Sequence, residues 1–334
     1  MNLKYLVHRN QNDPAFNLAL EEYALHKLNL TNHDYLLFYI NAPSVIIGKH
    51  QHTQAEINQA YINQHHVKVV RRISGGGAVY QDLGNLNFSF ITTITRHDFG
   101  SYQYFVQFII NALKRLGIQA TLSGRNDIIV DGKKISGNAQ YRYKNRMFSH
   151  GTLLFNTDLD ALEQALNVSM DKIQSKGVAS IRARVDNISN QLNQSINIMD
   201  FKKFLLEEIF GASYNTVELS EFDYQEIEKL SHSRYKRLDW NYDSLPAANI
   251  THSQRFDIGK IEFKMWLESG IIKMIKFYGD FFSQKDLVAL ESILTNQPYR
   301  LNVLKNKIEK INLKEYFGLI DHETFLNFLM AGLT

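Results

Sequence analysis

The chain has 334 residues, a formal net charge of +3 and no cysteine. The charge is too weak and too evenly spread for a protein that binds nucleic-acid backbones, and the missing thiols exclude disulfides, thiolate metal sites and cysteine nucleophiles. The first residues lack the apolar run of a signal peptide and no segment reaches roughly 18 apolar residues, so we expect a cytoplasmic protein that meets neither a membrane nor nucleic acid.

The first part of the chain mixes helical and strand patterns irregularly. Asp13-Pro14 predicts a helix start before AFNLALEEYALHKL, because Asp caps a helix and Pro fits its first turn. Strand patterns follow in YLLFYI, SVIIG, VKVVRR and the alternating LNFSFITT. Another helix is predicted from Ser101 to Leu116, and Asp131-Gly132 marks a hairpin turn. Because the strands run mostly as hairpins, we predict an α+β fold.

The C-terminal part of the sequence predicts a smaller unit. The small and polar residues of 241–253, with Pro246, are typical of a linker. The segment RFDIGKIEFKMWLESGIIKMIKFYGDFF then predicts a two-stranded hairpin around Ser269-Gly270, and helical segments follow it. We therefore expect a large domain over residues 1–247 and a small α+β domain over residues 248–334.

The stretch RRISGGGAVYQDLGN, residues 71–85, places three contiguous glycines between two strand patterns. It lacks the Lys-Ser/Thr of a Walker A loop and the spaced glycines of a dinucleotide fingerprint. One interpretation is a strand-loop-strand whose backbone N–H groups line a ligand, with Arg72 placed to bind a phosphate. A glycine-rich turn beside a surface arginine pair is the structural alternative, and the loop alone leaves it open.

The Asp131-Gly132 hairpin carries two adjacent lysines, Lys133 and Lys134. A two-residue turn predicts the pairs 130–133, 129–134, 128–135 and 127–136. One face then holds Ile128, Val130 and Ile135, with Lys133 at its edge, and the other holds Asp127, Ile129, Lys134 and Ser136. Lys134 is the better candidate for a site residue, although a solvated edge hairpin with two surface lysines would give the same sequence.

Two weaker candidates lie further along the chain. His150 and Thr152 share a strand face in SHGTLLF, which a structural histidine would also explain. The segment QSKGVASIRARVDN is either a mobile loop that closes over an anion or a basic surface loop. His65-His66 has no partner at a ligand spacing, so we predict no metal held by a cage of protein side chains.

Taken together, these segments resemble the lipoate-protein ligases of the biotin/lipoate ligase superfamily. The matching stretches occur in the family's order, and they are DPAFNLALEEYAL, PSVIIGKHQ, RRISGGGAVYQDLGNLNFSF, GRNDIIVDGKKISGNAQ, SHGTLLFNTDLDAL and KGVASIRARVDNIS. The segment GKIEFKMWLESGIIKMIKFYGDFF resembles the family's accessory domain, so the resemblance covers essentially the whole chain. It implies an α+β fold with a large mixed-sheet catalytic domain and a small C-terminal α+β accessory domain.

The resemblance also implies a reaction in two steps. Lipoate and Mg-ATP give lipoyl-AMP and pyrophosphate, and a lysine of an acceptor protein then attacks the mixed anhydride. The implied acceptors are lipoyl domains of 2-oxoacid dehydrogenase acyltransferase subunits, the glycine-cleavage H protein, or both. We expect a monomer that uses ATP, Mg²⁺ and lipoate. The preferred acceptor and the choice between lipoate and octanoate stay open.

By residue-for-residue match, the resemblance implies that Lys134 is the catalytic lysine, which contacts both the lipoate carboxyl and the adenylate phosphate. It assigns ATP and adenylate binding to Arg72, Gly77, Ala78, Val79, Tyr80, Asn126, Asp127, Lys134, His150, Thr152 and Arg182. It assigns lipoate binding to Arg72, Ser74, Gly75, Gly76, Lys134 and Gly137. Magnesium enters with the ATP phosphates, and the loop that covers the adenylate corresponds to residues 175–187.

Three other functions are weighed against this one. Octanoyl- and lipoyltransferases of the superfamily resemble the chain but work through an acyl-thioester on cysteine, which this sequence lacks. Biotin-protein ligases carry a Gly-Arg-Gly-Arg type signature where RRISGGGAV stands here. A protein that binds lipoate without activating it belongs to a different class, and the intact Arg72, Lys134 and Arg182–Asn187 segment argue against it. Pyrophosphate release that depends on lipoate would separate it from a ligase.

Overall fold

The structure is a computed structural model that describes residues 2–124, 126–167, 182–211, 213–242 and 247–333. The chain forms two compact units. The first contains Met1–Ile47, Gln54–Arg72 and Ala78–Asn241, and the second contains Gly48–Thr53, Ile73–Gly77 and Tyr242–Thr334. The glycine loop thus groups with the C-terminal part of the chain, which no sequence pattern indicated. The domain boundary at 247/248 stays a prediction.

The strands of the first unit form two sheets. They are β1 (Leu3–Leu6), β2 (Asp34–Ile40), β3 (Ser44–Ile47), β4 (Lys68–Arg71), β5 (Val79–Gln81), β6 (Asn85–Thr93), β7 (Thr121–Ser123), β8 (Asp127–Val130), β9 (Lys133–Tyr143), β10 (Arg146–Leu154) and β11 (Thr216–Val217). The larger sheet has the order β11-β1-β2-β6-β10-β9-β8-β7, and the smaller has the order β4-β3-β5. Both contain parallel and antiparallel pairs.

The helices up to residue 241 pack around these sheets. They are α1 (Pro14–Lys27), α2 (Thr53–Glu56), α3 (Gln59–Gln64), α4 (Gln103–Arg115), α5 (Leu159–Ala165), α6 (Ile198–Phe210), α7 (Glu221–Leu230) and α8 (Leu238–Asn241), with a π-helical turn at Ser231–Tyr235 and 3-10 turns at Arg182–Arg184 and Ile188–Gln191. Helix α1 begins at Pro14 as predicted, although the Asp13 carboxylate accepts a hydrogen bond from Lys68 at 2.9 Å and none from the helix. Within the described residues, no helix is both long and apolar enough to cross a membrane.

The two faces of the larger sheet differ in character, because successive side chains of a strand point to opposite faces. Phe88 and Phe90 of β6 belong to the apolar core that also includes Phe105 of α4 and Phe201 of α6. Asn87 and Ser89, which alternate with them on β6, are polar and buried. The polar face is the one on which Glu21 of α1 meets β10.

The second unit is a three-stranded antiparallel sheet with short helices. Its elements are β12 (Ile250–Phe256), β13 (Gly259–Glu268), β14 (Ile271–Gly279), α9 (Leu287–Leu294), α10 (Leu301–Ile308), α11 (Lys314–Phe317) and α12 (His322–Met330), with a 3-10 turn at Ala331–Leu333. The predicted turn at Ser269-Gly270 is present, with φ angles of +48° and +74°. The prediction of a linker over 241–253 was wrong at its end, because Ile250–Phe256 pairs with β13 as a half-exposed edge strand. With its mixed sheet, small C-terminal sheet and separate helices, the structure has the predicted α+β class.

Candidate active site

Lys134 and Asp127 form an ion pair on the hairpin of β8 and β9. The Lys134 Nζ lies 2.8 Å from the Asp127 Oδ1, and both side chains are half-buried. A Cβ on Gly137 would lie 2.8 Å from the same Nζ, so the missing side chain at Gly137 makes room for the ammonium. Lys133 points elsewhere, to the Asp186 Oδ2 at 3.7 Å. The hairpin therefore separates its two lysines, as the sequence predicted.

The predicted register of this hairpin is correct next to the turn and wrong beyond it. Ile129 pairs with Lys134, but Ile128 pairs with Ser136 and Asp127 with Gly137. One extra residue on β9 forms a β-bulge, which reverses the faces of the residues that follow it. Ser136 is consequently buried on the core side and does not share a face with Lys134. Gly137 takes that place instead.

The strand pairings bring several predicted site residues into one row across the sheet. Asp127 of β8 lies opposite Gly137 of β9, whose N–H donates to the Thr152 Oγ1 of β10 at 3.3 Å. Thr152 lies opposite Asn87 of β6, and Asn87 lies opposite Tyr39 of β2. We call these five residues the cross-sheet row. Lys134 sits beside Gly137 at one end of it.

His150 occupies the same face, two residues before Thr152, and it has a carboxylate partner that the sequence analysis missed. Its Nδ1 lies 2.9 Å from each carboxylate oxygen of Glu21, which is 2% exposed. Because an ionised carboxylate only accepts hydrogen bonds, Nδ1 carries the proton of this contact. A signal did exist in the sequence. Glutamate is rarely buried without a partner, and Glu21 stands among mostly apolar residues in AFNLALEEYAL.

Arg72 is part of the same buried group. It is 6% exposed, and its Nη1 donates to the Ile46 carbonyl oxygen at 3.1 Å. Burial lowers the pKa of the Arg72 guanidinium to about 10, while the Glu21 carboxylate works in the opposite direction, so Arg72 stays charged at neutral pH. The neighbouring Arg71 is also buried, and its Nε donates to the Trp240 carbonyl oxygen at 2.8 Å. The arginines are therefore not a surface pair.

Ala78 directly precedes β5, which contains Val79 and Tyr80 and pairs antiparallel with β3. A chain of buried amides holds the end of this strand. The Asn41 Nδ2 donates to the Gln81 Oε1 at 2.6 Å, and the Asn17 Nδ2 donates to the Asn41 Oδ1 at 2.8 Å. Such fully buried amides fix the backbone next to them, because any displacement would leave a polar group without a partner.

Asn126 and Arg182 have structural partners of their own. The Asn126 Nδ2 donates to the Asn138 carbonyl oxygen at 2.5 Å, and the Asn138 Nδ2 donates to the Asn126 carbonyl oxygen at 2.9 Å. Arg182 forms an ion pair with Asp160 at an exposed position. Of the predicted adenylate-covering loop, residues 175–181 lie outside the described residues. The last part of the loop reaches the hairpin, where the Asp186 N–H donates to the Lys134 carbonyl oxygen at 3.0 Å.

The glycine loop belongs to the second unit, where backbone groups of the C-terminal segment approach it closely. A Cβ on Gly75 would lie 2.5 Å from the Phe281 carbonyl oxygen. Gly76 has a φ of +91°, and its N–H donates to the same oxygen at 3.3 Å. The neighbouring Ser74 is buried, and its carbonyl oxygen accepts from the Lys49 N–H at 2.9 Å. At Gly77, by contrast with Gly75, a Cβ would meet open space.

Family models and relatives agree on the class of the chain. Residues 13–210 match the lipoyl protein ligase A/B catalytic domain, and residues 245–329 match the bacterial lipoate protein ligase C-terminus. The lipoate-protein ligase LplJ of Bacillus subtilis is 46% identical over 97% of this chain and 99% of its own length. Lipoate-protein ligase 1 of Staphylococcus aureus is 44% identical over 98% of this chain and 100% of its own length.

Solved structures with the same fold include proteins in complex with lipoate and with ATP. P. falciparum LipL1 in complex with lipoate has a TM-score of 0.80 at 26% identity, over 99% of both chains. A lipoate-protein ligase A bound with ATP has a TM-score of 0.61 at 27% identity, over 72% of this chain and 98% of that one. The bipartite ligase of Thermoplasma acidophilum, described with its E2 lipoyl domain, has a TM-score of 0.63 at 27% identity, over 75% of this chain and 100% of that one. The chain therefore belongs to the lipoate-protein ligase family.

Proposed function

We propose that the chain, a ligase that uses ATP to join lipoate to protein, works in two steps through Lys134. Lipoate attacks the α-phosphorus of ATP to give lipoyl-AMP and pyrophosphate. The amine of an acceptor lysine then attacks the acyl carbon, and AMP leaves. The observation that carries the proposal is the position of Lys134 next to Gly137, at one end of the cross-sheet row and on the sheet face that also carries His150.

Lys134 would neutralise charge in the first step. A carboxylate and a polyphosphate repel each other, and an ammonium fixed between them lowers that repulsion and stabilises the pentavalent phosphorus. Asp127 supports this role, because its oxygen at 2.8 Å holds the Nζ in place while the side chain keeps partial access to solvent. Positioning of the two substrates supplies the rest of the rate enhancement, and no covalent enzyme intermediate is required.

The remaining site residues are assigned by their surroundings. Arg72 keeps a buried positive charge that can bind the adenylate phosphate or the lipoate carboxyl. The backbone of Gly77 to Tyr80 would contact the nucleotide, with Thr152 and His150 on the neighbouring sheet face. Asn126 would act by fixing the chain before Asp127. Arg182, Ser74, Gly75 and Gly76 stay predictions as direct ligand contacts.

Magnesium would enter with ATP and belong to the substrate. Within the described residues, no group of three His, Asp or Glu side chains could hold a metal ion. Asp127 pairs with Lys134 and can offer at most one further oxygen to a cation carried by the phosphates.

The acceptor we propose is a lipoyl domain of a 2-oxoacid dehydrogenase, and the H protein of glycine cleavage is the second acceptor to test. The related Thermoplasma ligase, which is described with an E2 lipoyl domain, supports the first choice. We further propose that the protein acts as a cytoplasmic monomer.

The decisive experiment incubates the protein with ATP, Mg²⁺, lipoate and each purified acceptor, and follows the acceptor by mass spectrometry. We expect one lipoyl group on one lysine, and pyrophosphate release that requires lipoate. Lipoate binding without pyrophosphate release would make the chain a binding protein. Modification of an acceptor without ATP would make it a transferase.

A further inference from the structure

The polar face of β6 carries buried groups that the proposed chemistry does not use. Asn87 is 2% exposed and Ser89 is 0% exposed. The Asn87 Nδ2 and the Ser89 Oγ have no hydrogen-bonding partner among the residues that the structure describes. The Asn85 Nδ2 donates to the Asn87 Oδ1 at 3.1 Å. In this pair of side chains, one amide NH2 group and one amide oxygen therefore have no partner among the described residues, whichever way the two amides are turned.

Such groups are costly in a folded protein. A buried donor without a partner loses its hydrogen bonds to water and gains none in return. Natural proteins keep few of them, and each one that persists calls for an explanation, such as a role in the chemistry or a bound water or ion. Asn87 and Ser89 stand next to each other on one strand face, and their cross-strand neighbours are Thr152 and His150. Both neighbours are predicted site residues.

The distance between Lys134 and these groups is similar to the length of an acyl substrate. Asn87 of β6 lies two strands away from Gly137 of β9, and the Lys134 Nζ lies next to Gly137. Two strand spacings amount to about 10 Å. An extended octanoyl chain, with bonds of about 1.5 Å, spans a similar distance. An acyl substrate whose carboxylate meets Lys134 and whose chain follows the cross-sheet row would end near Asn87 and Ser89.

We propose that Asn87, assisted by Ser89, is a specificity-determining residue that selects lipoate over octanoate. The inference rests on the proposed function. The two acids share their carboxylate and chain length, and they differ at the far end, where lipoate has a dithiolane ring and octanoate a methyl group. The Asn87 amide N–H and the Ser89 hydroxyl can donate to a ring sulfur, which is a weak acceptor. A methyl group in the same place leaves both donors without a partner, so the site rejects it.

The test compares lipoate with octanoate as substrates for pyrophosphate release. Asn87→Leu removes the donor while it keeps the number and branching of the side-chain heavy atoms. We expect it to lower the ratio of kcat/KM for lipoate to kcat/KM for octanoate by about tenfold, and Ser89→Ala to lower it by about threefold. The ratio is measured on one protein sample, so partial unfolding lowers both values equally and leaves the ratio unchanged. Ser89→Ala is the smaller change and serves if the Asn87 variant does not fold.

Ser231→Ala is the matched control. The Ser231 Oγ is also fully buried and has no partner among the described residues, but Ser231 lies outside the cross-sheet row. Its variant should keep the wild-type ratio. An unchanged ratio in both the Asn87 and Ser89 variants, or wild-type protein that uses both acids equally well, would overturn the inference and leave the ligase function intact. Wild-type protein that releases pyrophosphate with neither acid would instead contradict the proposed function.

Discussion

The His150 Nδ1 atom lies 2.9 Å from both carboxylate oxygens of Glu21. The contact joins the middle of α1 to the polar face of the larger sheet, and it places the imidazole proton on Nδ1, towards Glu21. Glu21 also attracts the buried Arg72 guanidinium. The Glu21 carboxylate therefore orients the His150 ring and balances the positive charge of Arg72. Both His150 and Arg72 are predicted site residues.

Glu21→Gln should slow lipoyl-AMP formation by about tenfold or more. The neutral amide cannot balance the positive charge of Arg72, and it holds the His150 ring less firmly than the carboxylate does. Glu22→Gln is the control on the same helix. Glu22 is buried as well, but it accepts from the Tyr235 hydroxyl at 2.7 Å and pairs with Arg234, away from these residues. The control should lose stability and keep its rate of pyrophosphate release. Equal rate losses in both variants would reduce the role of Glu21 to folding.

Lys134→Ala should lower the rate of adenylation by about 10²- to 10³-fold, the usual effect of removing one electrostatic contact to a transition state. Lys133→Ala should stay within about twofold of wild type, because its pair with Asp186 is long and half-exposed. Lipoate-dependent pyrophosphate release measures both. If the two variants lose activity to the same degree, the two lysines do not have separate roles.

The glycine loop can be tested at the position that leaves room for a side chain. Gly77→Ala should leave the thermal unfolding temperature nearly unchanged, because its Cβ meets open space, while ATP or lipoate binding should fall if a ligand lies against the loop. Gly75→Ala should lower the unfolding temperature, because its Cβ would press on the Phe281 carbonyl oxygen. Gly76 is unsuitable, since its φ of +91° disfavours any side chain. Unchanged binding in the Gly77 variant would exclude a ligand at this backbone.

The buried histidine His8 should make stability depend on pH. Burial lowers the pKa of His8 to about 4, whereas an unfolded chain would protonate it near 6.5. Below pH 6.5 the unfolded state therefore binds more protons, and stability falls as the pH drops towards 4, by about 3 kcal/mol in total. Above pH 6.5 this contribution is constant.

Urea unfolding between pH 4.5 and 7.5 measures this effect. His8→Gln should flatten the pH dependence, even if it lowers stability at neutral pH. His232→Gln, at an exposed position, is the control and should keep the wild-type slope. A slope that survives in the His8 variant would assign the pH dependence to other groups.

The features that the sequence predicted correctly depend on residues that are close together in the chain. Asp131-Gly132 and Ser269-Gly270 form turns because their residues tolerate positive φ, and the observed φ angles are positive at all four. The bulge at Ile135 was not predictable, since it depends on packing between strands and not on the turn. The partner of His150 was missed for a similar reason, because Glu21 precedes it by 129 positions and only tertiary structure joins them. Lys134 was identified because the bulge comes after its pair with Ile129.

The grouping of the glycine loop with the C-terminal unit leads to the last prediction. Phe281 is fully buried in the core of that unit. Its ring stacks on His50 at a centroid distance of 5.2 Å, and its carbonyl oxygen accepts from the Gly76 N–H. The Gly279 N–H also donates to the His50 carbonyl oxygen at 2.8 Å. The small unit thus holds the loop that is predicted to bind substrate in the first step, and it contains none of Lys134, Arg72 or His150.

Phe281→Leu should therefore impair adenylation more than transfer from presynthesised lipoyl-AMP, because a loosened glycine loop binds ATP and lipoate less well. Closing before one step and opening before the next is a common way to separate activation from transfer. Phe325→Leu is the matched control. It is equally buried in the same core and packs on Phe317 at 5.0 Å. Both variants should lose about 1–2 kcal/mol of stability, and only Phe281→Leu should raise the KM for ATP and lipoate. If Phe281→Leu adenylates normally but transfers poorly, the small unit instead recruits the acceptor domain.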